Sequence, residues 1–198
     1  EKNPRSAIDW ALSQYESVRL VRMEAALIGT ATNPEMALEI GRELLAHDSV
    51  AGNTYGAILI GALSSAGQFE AALKFANENS PLSDPDWFKT TFTCWARSNP
   101  RDALKALDSI SSQPMRDAAF QALVDGWVSH DHAGLADYAV SLPPGNDRTL
   151  ALNSAMNQWC LQDPASLGEW LNGLPSSPEL DQIIASLVTR TDTVNRRS

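Results

Sequence analysis

The sequence predicts an all-α fold, a solenoid of about six helix-turn-helix units, on three observations. A polar residue followed by a proline, or by another polar residue, recurs along the chain at a near-constant interval. The same slots around that step carry the same kinds of residue from one line to the next. No stretch alternates apolar and polar residues as a half-buried strand would.

The step falls at Asn3-Pro4, Asn33-Pro34, Gly67-Gln68, Asn99-Pro100, Asp131-His132 and Asp163-Pro164, at intervals of 30, 34, 32, 32 and 32 residues. Four and five residues after it stand Ala7/Ile8, Ala37/Leu38, Ala71/Ala72, Ala103/Leu104, Leu135/Ala136 and Leu167/Gly168. Four residues before it stand Gly29, Leu63, Trp95, Trp127 and Trp159. A fixed period with shared slots is the signature of a repeat architecture.

Each step separates two helices. Asn or Asp caps a helix, because its side-chain oxygen accepts a free N–H of the first turn. Proline is welcome just after the cap, where its missing N–H costs nothing. The preceding helix ends there, since the residue before proline is pushed out of the α region. Stops at 80–85 (SPLSDP), 111–114 (SSQP), 142–147 (LPPGND) and 174–178 (LPSSP) divide one unit from the next. The helices expected in chain order are 4–14, 18–30, 34–46, 52–65, 68–79, 85–97, 100–110, 114–129, 132–141, 147–161, 164–173 and 178–190. They form a single domain over residues 1–190, with a frayed tail at 191–198.

Within a unit the first helix carries an apolar stripe. Counting back from Trp95, Trp127 and Trp159, three and seven residues earlier stand Phe92/Phe88, Val124/Phe120 and Met156/Leu152. Two and six residues earlier stand Thr93/Lys89, Asp125/Gln121 and Asn157/Asn153, all polar. A lone helix pair is too small to bury its stripe, so neighbouring pairs must cover it.

At GALSSAGQFEAALKFANENSP (61–81) the chain resembles the tetratricopeptide repeat, with Gly67, Phe69, Glu70 and Ala72 matching the turn that opens the second helix. The other units replace that glycine with Asn or Asp and have a period of 32 rather than 34. They resemble the tandem W-x3-(D/N)-P helical repeats of bacterial proteins with no assigned activity. The resemblance implies a right-handed solenoid that binds proteins or peptides on the concave face lined by the first helices. Its motifs are structural and carry no catalytic residue over.

Composition narrows the functional classes. The 198-residue chain is 43% hydrophobic with a net charge of −9. That acidity disfavours nucleic acid, which needs a basic footprint, and an anionic membrane surface. The longest apolar run, Tyr55 to Leu63, is far short of the roughly 20 residues of a membrane span. Cys94 and Cys160 lack disulfide-framework or zinc spacing and read as buried thiols. The chain opens inside a patterned segment, which favours an exported or envelope protein with its leading segment removed.

Candidates for chemistry are few. His130-Asp131-His132, with Asp125, is the one local cluster that suggests a metal, but it occupies the turn slot of its unit and reads as a solvated turn. His47-Asp48 reads as a helix C-terminus with its loop. Asp117 and Asp125 share a helix face without the spacing of a hydrolase pair. Gly52, Gly56 and Gly61 follow no strand, so they read as positions of close helix packing rather than a nucleotide loop. Trp95, Trp127 and Trp159 are expected in the core; Trp87 and Trp170, off that register, are expected to be partly exposed.

The expected function is a noncatalytic protein- or peptide-binding scaffold without a cofactor. Its binding surface is the polar ladder Lys89, Thr93, Gln121, Asp125, Asn153 and Asn157. Amides and hydroxyls suit an extended peptide backbone, and the surrounding acidity favours a basic partner. A helical accessory domain of a larger enzyme, such as a cell-wall hydrolase, is the alternative. The open ends of such a stack favour pairing of two copies end to end.

Overall fold

The computed structural model describes residues 4–47, 49–79, 85–175, 181 and 184–185. Among these residues the protein is all-α, without a strand. The helices are α1 (Pro4–Leu12), α2 (Glu16–Thr30), α3 (Pro34–His47), α4 (Ser49–Ser65), α5 (Phe69–Glu78), α6 (Pro85–Ser98), α7 (Pro100–Ala106), α8 (Gln113–Val128), α9 (His132–Ser141), α10 (Asn146–Gln162) and α11 (Pro164–Asn172). A 3-10 turn, Leu107–Ser109, follows α7. The expected helix at 178–190 falls largely outside the described residues, and the tail at 191–198 wholly so. Two compact units are distinguished by their backbone contacts, Glu1–Gly126 and Trp127–Ser198.

The capping chemistry stands at four joints. Asn33 Oδ1 accepts from Met36 N at 3.2 Å, and Asn99 Oδ1 from Asp102 N at 3.2 Å. Asp131 Oδ1 accepts from Gly134 N at 2.7 Å, and Asp163 Oδ1 from Ser166 N at 3.1 Å. The joint at 67–68 is built differently. Gly67 adopts φ +75°, Gln68 N donates to Leu63 O at 2.8 Å, and Gly67 N donates to Ser64 O at 3.1 Å. That pair of bonds around a left-handed residue is a Schellman ending, and it uses the one conformation that glycine enters without a Cβ penalty. Gln68 takes the N-cap position of α5 without a side-chain cap bond, so Gly67 ends α4 rather than opening α5.

In the first unit the core is drawn from every helix. Met23 and Leu27 of α2, Leu59, Ile60 and Leu63 of α4, Phe75 of α5, Phe88 and Phe92 of α6, and Phe120 and Leu123 of α8 are almost fully buried. Helix α4 packs on both α2 and α6. Thr93 Oγ1 of α6 donates to Ala122 O of α8 at 3.4 Å. Gly126 sits against the Thr93 backbone so closely that a Cβ would lie 2.6 Å from Thr93 O. Helices α1, α3 and α5 and the turn after α7 are linked by polar rungs instead. Arg5 of α1 reaches Glu39 and Glu43 of α3, Arg42 of α3 reaches Glu78 of α5, and Asn77 of α5 donates to Ser109 O. The three ion pairs are exposed, so each contributes little.

In the second unit α9, α10 and α11 enclose Leu135, Ala136, Ala139, Leu152, Ala155, Met156 and Leu167. Trp159 lies between the rings of His132 and Trp170, with centroids 5.1 and 5.5 Å away. Its indole N–H donates to Ser166 Oγ at 2.7 Å. Trp170 donates to Asp137 Oδ1 of α9 at 2.8 Å. The Arg148 guanidinium donates to Val140 O and Leu142 O, both at 2.8 Å, and so satisfies carbonyls at the end of α9.

Buried positions recur along α4, α6, α8 and α10. Tyr55, Trp87, Ala119 and Ala151 stand 32 residues apart and all are buried. So are Ile60, Phe92, Val124 and Met156, and Leu63, Trp95, Trp127 and Trp159. One sequence expectation is corrected by this register. Trp87 is only 2% exposed, not partly exposed. Its ring occupies the space above Gly56, where any Cβ would overlap it, and stacks on Phe75 at 5.7 Å. The cysteines also differ from expectation, because both are half-buried rather than buried. Gly61 has open space where a Cβ would go, so it is not a close-packing position.

Candidate functional site

The ladder residues occupy α6, α8 and α10. In the first unit Lys89 is exposed and bonds Asp86 on its own helix, Nζ to Oδ1 at 2.8 Å. Thr93 is half-buried and is brought to α8 through its bond to Ala122 O. Gln121 donates to Asp125 Oδ1 at 2.9 Å, one turn further along α8. A second amide–carboxylate pair precedes it on the same helix, Gln113 to Asp117 at 2.6 Å. At four-residue spacing Gln113, Asp117, Gln121 and Asp125 fall along one edge of α8. Each carboxylate thus has one oxygen held by a neighbouring amide.

In the second unit Asn153 and Asn157 are half-buried, one turn apart on α10. None of the six ladder residues is buried, whereas the Trp slots two residues away are all below one-tenth exposure. In the first unit the ladder is therefore a set of partly self-satisfied polar groups beside a dry stripe. There it combines one amide, one hydroxyl, one carboxylate and one ion-paired lysine; the second unit carries two amides of its own. That inventory can pair with a peptide backbone and can attract cations.

The histidine cluster has structural surroundings. Asp131 caps α9, His130 Nδ1 lies 2.8 Å from Ser129 Oγ, and His132 packs on Trp159. Among the described residues no group of three His, Cys, Asp or Glu side chains is placed to hold a metal. Asp163, the cap of α11, is held in its charged form by its own joint. The Ser166 backbone N–H, followed by the Ser166 hydroxyl, stabilises its carboxylate and lowers its pKa below the ordinary 3.8.

Sequence reasoning missed three grooves of the first unit. One, about 780 Å³, lies between α5 and α7 over Phe69, Leu73 and Trp95, with Glu70, Lys74 and Lys105 along it. Phe69 and Trp95 stack nearly parallel, with centroids 5.4 Å apart. A second, about 450 Å³, separates α1 from α3, and a third, about 470 Å³, separates α2 from α4. None includes a ladder residue. No local pattern encodes a gap between helices 30 residues apart, although exposed Glu70, Lys74 and Glu78 around the half-buried Phe69 mark one wall.

No protein-family model, curated protein or solved structure matches the chain.

Proposed function

We propose that the chain is a noncatalytic protein- or peptide-binding scaffold, a right-handed, tetratricopeptide-like solenoid of helix pairs about 32 residues long. The observation that carries this reading is the shared register of α4, α6, α8 and α10. Equivalent slots are buried at 32-residue intervals, and the positions two and six residues before each tryptophan stay accessible. Such repetition suits an extended ligand, which meets a similar surface at each unit.

The ladder chemistry narrows the partner. Asp117 and Asp125 have amide neighbours but no cation within ion-pair distance among the described residues. Their free oxygens, in a chain of net charge −9, favour an extended basic peptide. Panning a random peptide library over the immobilised chain tests this reading. Enrichment of a family with recurrent Lys or Arg is the expected result. Recovery of no common family, or of an acidic one, would contradict it.

A further inference from the structure

Six of the seven large apolar side chains exposed among the described residues crowd into residues 10–28. The seventh, Leu161, belongs to α10. Helix α2 buries one side through Met23, Leu27 and Thr30. On its other side Val18, Val21, Ala25 and Ile28 form an exposed stripe, with Val21 66% and Ile28 56% exposed. Tyr15, 87% exposed, extends it at the N-cap, and Trp10 borders it beneath the Arg22 guanidinium, 5.0 Å from the ring centroid. A soluble helix with two apolar sides has one side still to cover.

We propose that a second copy of this chain covers the stripe, α2 against α2, as a two-fold antiparallel pair. The spacing of Val18, Val21, Ala25 and Ile28 is three, four and three residues, which reads the same in both directions about Met23. Reversing one helix therefore sets Val18 against Ile28 of the second copy, and Val21 against its Ala25. A closed two-fold contact needs a surface that is its own complement, and this stripe satisfies that condition. The patch also has the right size. Aromatic side chains present roughly 150–250 Å² each when fully bared. Tyr15 and Trp10 with the aliphatic stripe thus offer on the order of 500 Å² per copy, the apolar part of an interface of about 800 Å² per partner.

The charges predict how the pair responds to salt. Arg22 and Glu24 flank the stripe on opposite edges of α2, and the two-fold brings each beside its own copy. Added salt screens that like-charge contact, so the dimer persists or tightens. An interface held by opposite charges would loosen.

Sedimentation equilibrium of the 198-residue chain is the test. A monomer–dimer equilibrium is expected, undiminished by salt. Val21→Glu, at the centre of the stripe, and Ile28→Glu, at its end, should each weaken it by about 30-fold or more, because each puts a charge into the apolar contact, with helical circular dichroism unchanged. Leu161→Glu, at an exposed apolar residue outside the stripe, should leave the dimer intact. A monomer at every concentration would overturn the proposal, as would a dimer indifferent to both α2 substitutions. The peptide-binding reading rests on other residues and stands or falls separately.

Discussion

Two glycines in α4 separate packing from propensity. Gly56 lies under the Trp87 ring, and Gly61 has nothing within 4 Å of a built Cβ. Gly56→Ala should cost about 1–3 kcal/mol, because the indole is buried and has no free volume to enter. Gly61→Ala should instead stabilise by roughly 0.5–1 kcal/mol, the usual helix-interior gain. Urea unfolding of the two variants measures both signs. The tryptophans make a second contrast. Trp159 donates to Ser166, seven residues on, while the equivalent residue for Trp127 is Gly134, and the buried Trp127 N–H has no acceptor among the described residues. Trp159→Phe should therefore destabilise more than Trp127→Phe by about 1 kcal/mol, the net worth of one hydrogen bond.

At the scale of elements, the joints carry the fold. Asn99→Ala should cost about 1 kcal/mol through the lost cap of α7. Asp163 makes the equivalent joint pH-sensitive. Its carboxyl is held below the ordinary 3.8 in the folded chain, so its contribution is complete above that value. The contribution fades as pH falls through the lower folded value. The difference in urea midpoint between the wild type and Asp163→Ala should accordingly be constant near neutrality and shrink below about pH 4. Most of these joints were legible in the sequence, because Asn, Asp and Pro act on their own neighbours. The expected helix boundaries lie within a few residues of those observed, the largest difference being α7, which tightens to a 3-10 turn at Leu107. Gly67 is the joint whose chemistry the period leaves open, for a physical reason. Its slot fits the period, but its positive φ is decided by the Schellman bonds that end α4.

For the molecule as a whole, periodicity identified the dry stripes of α6, α8 and α10, since burial there follows from spacing alone. It could not place Trp87, whose burial depends on Gly56 and Phe75 in other helices. Nor could it reveal that Lys89, Gln121 and Asp125 already bond within their own helices. The ladder positions were therefore readable as accessible, while their prior engagements were a matter of three-dimensional structure. Those engagements shape the expected ligand: a partner has to add to the amide-held carboxylates or displace weak, exposed bonds.

The most direct test of the binding account is a calorimetric titration of a library-selected basic peptide into the wild type and into a Gln121→Ala, Asp125→Ala, Asn153→Ala, Asn157→Ala variant. The account predicts saturable binding to the wild type and a dissociation constant at least about tenfold higher for the folded variant, a loss of about 1.4 kcal/mol or more. Equal affinity for the two proteins would contradict it.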